Sequence, residues 1–207
     1  MEDGTTITEG HHRVKMELLL MSIWKRAALK TMTDSDLHTV LFWRNQDFIR
    51  KMMYNSQIIS KKEHLEWFNR IKNSDTSIAK VLYFDDRPYG VVTIHQIDYL
   101  NRTCEWSFYI GENKAPSGLG TILGCLAIDY IFNHLHLRKL CAQVIEFNYK
   151  SYHLHKKLGF DQEGLLQGHI KKESKYVDIY LFGLFKSKWL IQSIQLKEQI
   201  EIKFKEV

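Results

Sequence analysis

Hydrophobic and polar positions along the chain repeat with two periods, and the switches between them mark the elements. Thr33-x-x-Asp36 has the form of a capping box, and Leu37, Val40 and Leu41 follow at i, i+3 and i+4, which predicts a helix. Ser60-x-x-Glu63 repeats the signal, with Leu65, Phe68 and Ile71 on one stripe. From residue 77 the period is two. Residues 77–84 and 89–98 read as strands, with Asp85-Asp86-Arg87-Pro88 as the hairpin turn. Residues 102–110 read as a third strand, with Cys104, Trp106, Phe108 and Ile110 on one face and Glu105, Ser107 and Tyr109 on the other. A Gly, Pro and Ser loop over 111–120 then opens a helix. Its Leu119, Ile122, Leu123, Leu126, Ala127, Tyr130 and Ile131 form a wide apolar face. A strand over 139–147, a short helix over 148–157 closed by Gly159, and a strand pair over 160–170 and 176–186 complete the pattern.

This order of helices and strands predicts an α/β (α+β) domain on a mixed, mostly antiparallel sheet. Residues 1–28 read as an N-terminal extension, 29–187 as the domain, and 188–207 as a charged, amphipathic, helical tail. Met16 or Met21 reads as a candidate start of translation. The apolar run over 18–24 is too short for a bilayer, which takes about 20 residues. Lys25-Arg26 follow it directly, without a small-residue cleavage site, which argues against a signal peptide.

The 29 Lys and Arg against 24 Asp and Glu leave a formal charge of +5. The basic residues are scattered, which favours an anionic small ligand over nucleic acid. The three cysteines, Cys104, Cys125 and Cys141, are odd in number and far apart, with no CxxC pair. That pattern supports neither a zinc ribbon nor a disulfide framework, so a reduced, cytoplasmic protein without a metal is expected.

Two motifs carry chemistry. Ala115-Pro116-Ser117-Gly118-Leu119-Gly120-Thr121 lies between a strand and a long helix. Glycines there let a ligand approach the backbone, and the first helical turn presents unpaired N–H groups, a phosphate-binding arrangement. It is neither a dinucleotide fingerprint nor a P-loop. Asn148, at a strand-to-helix turn, is followed by His155, Gly159 and Phe160. Asn148 reads either as a helix cap or as a ligand to an amide, and His155 as a packing residue or a catalyst.

Together the two motifs resemble those of the GNAT superfamily of acetyl-CoA-dependent N-acetyltransferases, over about residues 30–186. The glycine loop is similar to the acyl-CoA pyrophosphate motif Q/R-x-x-G-x-G/A, with Ala115 in the Gln/Arg place and Lys114 beside it. Asn148 to Phe160 is similar to the N…Y…GF segment, with His155 in the Tyr place. Phe42-Trp43-Arg44-Asn45, His64-Leu65-x-Trp67-Phe68, Leu137-Arg138-Lys139-Leu140 and Leu154 to Phe160 resemble the aminosugar acetyltransferases of pseudaminic acid biosynthesis.

The resemblance implies a GNAT fold of about seven strands flanked by four or more helices, with two central strands splayed to admit the pantetheine arm. It implies acetyl-CoA as co-substrate, held by Ile110, Lys114, Gly118, Leu119, Gly120, Thr121 and Asn148. The N–H near Ile110 serves the oxyanion, a term of about 3–4 kcal/mol per donor. Glu146 is the expected base, with Glu105 second, and His155 the expected acid. Arg44, His64, His95 and Tyr109 are expected to hold a UDP-linked aminosugar whose 4-amino group is acetylated by direct transfer. Trp43, Trp67 and Trp106 are expected in the core. Peptide N-termini or polyamines are the alternative acceptors, a polyamine requiring an acidic pocket. An acetyl-CoA-binding regulatory module is the non-enzyme alternative. No nucleic acid or membrane partner is expected, and a homodimer is compatible with the pattern.

Overall fold

A computed structural model describes residues 22–205. The elements are α1 (Ile23–Arg26), β1 (Ala27–Thr31), α2 (Leu37–Asn45), α3 (Asp47–Arg50), α4 (Lys61–Lys72), β2 (Ile78–Phe84), β3 (Arg87–Asp98), β4 (Thr103–Ile110), α5 (Leu119–Asp129), β5 (Lys139–Ile145), α6 (Tyr149–Lys157), β6 (Asp161–Lys172), β7 (Lys175–Phe185) and α7 (Lys186–Lys205). The alternative starts at Met16 and Met21 lie outside the described residues.

Both capping boxes form. Thr33 and Asp36 close a 3₁₀ turn ahead of α2, and Ser60 and Glu63 satisfy each other's orphan groups at the start of α4. The β2–β3 turn is tighter than expected. Asp85 and Asp86 alone form it, with φ of 47° and 58°, and Arg87 already pairs with Phe84. Two left-handed residues match the twist of a two-residue hairpin, and aspartate tolerates that region. Arg26 locks the turn through paired bonds of 2.9 and 2.7 Å to the Asp85 carboxylate.

The seven strands run in the order β1-β2-β3-β4-β5-β7-β6. Every neighbouring pair is antiparallel except β4 and β5, which are parallel and paired only at Thr103–Lys139, Cys104–Leu140 and Glu105–Cys141. From Trp106 and Ala142 onward these two strands part.

The sheet is covered on both faces. On one, Val92, Ile94, Trp106, Leu140 and Val144 pack with Ile122, Leu123 and Ile128 of α5 into the main core. On the other, Val81 and Val91 pack with Val40 and Trp43 of α2 and Phe68 of α4. The approach of α2 to the end of β4 requires glycine at 111, where a Cβ would lie 2.2 Å from the Trp43 ring.

One boundary differs from the sequence reading. The sheet begins at Ala27, inside the expected extension, because Ala27 to Thr31 pairs with β2 despite its weak alternation. Residues 188–205 form the expected helix and pack on the domain. α7 buries Trp189, Leu196 and Ile200 in the main core, and Trp189 and Lys197 both bond Asp129 of α5, at 2.9 and 2.5 Å.

Candidate active site

The parting of β4 from β5 leaves a row of backbone groups without a strand partner. Gly111 N–H donates to Tyr89 O of β3 at 2.8 Å. By alternation along a strand, the N–H groups of Ile110 and Phe108 turn the other way, into the gap. At the open end of the gap stands the N-terminus of α5. Gly118 is its N-cap with φ of 96°. Thr121 N–H turns back to Gly118 O at 2.9 Å, while the N–H groups of Gly118 and Gly120 find no acceptor among the described residues. The gap, the free donors and the positive end of the helix form a slot for an extended acyl chain ending in phosphate. Lys157 of α6 donates to Thr121 Oγ1 at 3.4 Å, adding positive charge beside this turn. Lys114 instead lines an open groove with Arg87, Tyr89 and Phe42. The Asn148 side chain caps α6 by accepting from Ser151 N–H at 3.2 Å.

On the α2/α4 side of the sheet lies a cavity of about 730 Å³. Its wall brings together Arg44, His64, His95 and Tyr109, from α2, α4, β3 and β4. The Trp43-Arg44-Asn45 run has a clear division of labour. Trp43 packs under Gly111, and Arg44 Nη2 donates to Asn55 O at 2.8 Å. Asn45 clamps Ile59 through two bonds of 2.8 Å, holding the segment over 51–60 as a roof. Lys172 reaches in from β6 to the carbonyls of Met53 and Tyr54.

Two buried polar atoms in this wall have no partner among the described residues, Arg44 Nη1 and His64 Nε2. Each such orphan typically costs about 1–3 kcal/mol. His64 is 5% exposed and stacks on Trp67 with ring centroids 5.1 Å apart. Burial lowers its pKa, opposed in part by a bond to the Leu37 backbone. Burial also lowers the pKa of Arg44 and of His95, the latter opposed by the charge of Glu105. The Tyr109 hydroxyl is pushed well above its ordinary value by burial and stays protonated.

The structure treats the three expected proton-transfer residues differently. His155 is 3% exposed and lies in the main core. Its Nε2 accepts from Trp106 Nε1–H at 3.2 Å, and its Nδ1 faces Ser151 O at 2.8 Å. Trp106 only donates and a carbonyl only accepts, so both partners fix one tautomer. Burial lowers the His155 pKa to about 4. A neutral imidazole with its single N–H bound to a carbonyl has no proton for a thiolate, and the expected acid role is withdrawn. Glu146 follows β5 and is not part of the cavity wall. Glu105 pairs across strands with His95 and shares its sheet face with Ser107 and Tyr109. Gln143 Nε2 donates to Glu105 Oε2 at 3.2 Å, and Tyr54 O–H donates to Gln143 Oε1 at 2.7 Å.

Trp67 packs against the second core, as expected, and also lines the cavity, as do Arg70 and Asn55, which the sequence does not single out. Only the Trp67 spacing to His64 carried a signal for this. Burial raises the Cys104 and Cys125 thiols to about 12 and raises Cys141. None of them is a ready nucleophile. No group of three or more His, Cys, Asp or Glu among the described residues could hold a metal.

A seven-stranded mixed sheet splayed at one parallel pair, with a glycine turn feeding a helix at its open end, defines an acyl-CoA-dependent acetyltransferase fold. The chain belongs to the acetyltransferase (GNAT) domain family, which matches residues 29–181. It is 31% identical over 104 residues to spermidine N(1)-acetyltransferase of Vibrio cholerae, covering 50% of this chain and 60% of that protein. The chain therefore matches less than two thirds of that relative's length. It is 25% identical over 135 residues to acetyltransferase PseH of Campylobacter jejuni, covering 64% of this chain and 83% of that one. Among solved structures, the V. cholerae spermidine N-acetyltransferase in complex with CoA and spermine superposes with a TM-score of 0.75 at 24% identity. The match covers 80% of this chain and 99% of that one. No described helix is long and apolar enough to cross a membrane.

Proposed function

We propose that this protein transfers acetyl from acetyl-CoA directly to an amine of a small substrate, and that this amine is the 4-amino group of a UDP-linked aminosugar. The observation that carries the acceptor assignment is the pair of buried, unpaired nitrogens, Arg44 Nη1 and His64 Nε2, in one cavity wall. Arg44 Nη1 offers an N–H, and the His64 imidazole, favoured neutral by burial, carries one N–H and one lone pair. An imide such as uracil presents the complement, an N–H flanked by carbonyl oxygens. A diphosphate supplies further acceptors for Arg44 and Arg70. The resemblance of the Phe42–Asn45 and Leu154–Phe160 segments to the aminosugar acetyltransferases of pseudaminic acid biosynthesis supports the same reading.

Direct transfer is supported by the three thiols, none of which is activated to take the acetyl group. The acetyl group of an extended donor in the gap reaches the region where β4 and β5 part, beside Glu105. His95 lines the cavity, is held neutral by burial, and faces the Glu105 carboxylate across the strands. His95, supported by Glu105, takes the proton of the attacking amine in this reading, in place of Glu146.

A polyamine acceptor is the second reading. It is favoured by the named spermidine acetyltransferases and by Glu63 and Glu66 in the cavity wall. Against it, Glu63 is engaged by Ser60 in the capping box, and Arg44 and Arg70 share the same space. The test is release of CoA thiol from acetyl-CoA with the UDP-4-amino-sugar, spermidine and an N-terminal peptide in parallel. Turnover with the sugar nucleotide alone is expected. Turnover with spermidine or the peptide alone overturns the acceptor assignment, and CoA binding without any turnover overturns the activity.

A further inference from the structure

The family match ends at residue 181, yet α7, which starts at Lys186, reaches the glycine turn of the acyl-CoA slot. We propose that α7 is a working part of that slot and that Phe204 is a positioning residue for the pyrophosphate-binding turn. This rests on the acyl-CoA reading of the turn and is independent of the acceptor.

The Phe204 ring lies against the backbone of Gly118. A Cβ built on Gly118 would sit 2.9 Å from Phe204 Cε2 and 3.1 Å from Cζ. Behind it the ring packs on Phe84, with centroids 6.3 Å apart. The end of α7 is tied down one residue-triplet earlier, where Glu201 Oε2 accepts from Ser22 Oγ at 2.8 Å and Ile23 N–H at 3.2 Å. The opposite end of α5 is held by the Asp129 bonds to Trp189 and Lys197. α7 therefore braces α5 at both ends.

The physical consequence falls on Gly118. A glycine at φ of 96° has access to more backbone conformations than any other residue, and the direction of the N–H groups at 118–120 depends on that one torsion pair. The Phe204 ring removes the alternatives before ligand arrives. In its absence the ordering of the turn is charged to ligand binding.

The test is calorimetric titration of the full chain with CoA, alongside NMR titration with S-acetylpantetheine, which lacks the pyrophosphate. Phe204→Ala is expected to weaken CoA about tenfold and leave S-acetylpantetheine unchanged, with Phe204→Leu restoring most of the loss. Thermal melting of the ligand-free variants separates bracing of the turn from loss of folding. An unchanged CoA affinity in Phe204→Ala, or an equal loss for both ligands, overturns the proposal. Failure of the unsubstituted protein to bind CoA instead overturns the acyl-CoA reading.

Discussion

Two histidines on opposite faces of one sheet are buried to nearly the same degree, and they differ in everything that follows from burial. His155 is 3% exposed, with both ring nitrogens paired and aromatic neighbours on every side, Phe182 stacked and Phe160 edge-on. His64 is 5% exposed, lines the cavity as a residue, and leaves Nε2 without a partner among the described residues. The first completes a core. The second keeps an unsatisfied nitrogen at an energetic cost, which sets it apart from a residue that only completes a core. Burial and a lowered pKa do not separate the two; hydrogen-bond satisfaction does.

The comparison can be broken at four points. The largest effect is expected at Arg44, the charged partner of His64 in the cavity. Arg44→Ala should lower kcat/KM for the acceptor amine by about 10²-fold or more, with CoA affinity retained. Steady-state kinetics in both substrates checks this, and an unchanged acceptor KM removes Arg44 from the site.

Next comes acid stability. The unfolded chain protonates His155 near pH 6.5, and the folded chain only near pH 4. The folded pKa is the lower one, so the contribution is present above pH 6.5 and is lost as pH falls toward 4, by at most about 3 kcal/mol. Urea denaturation between pH 4 and 8 should show this fall. His155→Phe should shrink this fall, leaving the part due to His64 and His95, while destabilising the protein by about 1–3 kcal/mol near pH 8, through the orphaned Trp106 N–H and Ser151 carbonyl. Turnover of the folded variant should be unchanged.

His64→Leu should do the reverse. It removes an orphan nitrogen, so the melting temperature should rise, by the equivalent of about 1 kcal/mol, while acceptor KM worsens about tenfold. A fall in melting temperature with unchanged KM would make His64 a second His155. The smallest effect is expected in the pH profile. With the base held neutral by burial, kcat/KM should rise to a plateau through a group below pH 6.5, in addition to the rise set by the substrate amine. His95→Gln should erase that limb, and its survival in the variant assigns the limb to another group.

The sequence was informative wherever a local rule decides the outcome. Ser60 and Glu63 specify a helix start between themselves, and the alternation from Cys104 to Ile110 assigns both faces of β4 without tertiary help. The glycine turn and the four cavity residues were legible through the family resemblance and spacing. β1 was missed because an edge strand of five residues, Ala27 to Thr31, is defined by its partner rather than its own pattern. His155 was misassigned because position in a motif says nothing of Trp106, 49 residues earlier in the chain. Trp67 packs on the second core as its helix stripe predicts, and only the cavity shows that it also forms part of a wall. The contact of Phe204 with Gly118 joins chain segments that no periodicity links.

The three-residue pairing between β4 and β5 has a consequence for how the molecule opens. A four-stranded meander and a three-stranded unit meet along this short seam, which makes it the natural border between two cooperative units in the ligand-free chain. The amides of Phe108 and Ile110 on its open margin should exchange with deuterium rapidly, far ahead of those in the middle of β2 and β3. An extended donor bound in the gap would pair with these two amides as an eighth strand, so slowed exchange there would register donor binding as a mending of the sheet.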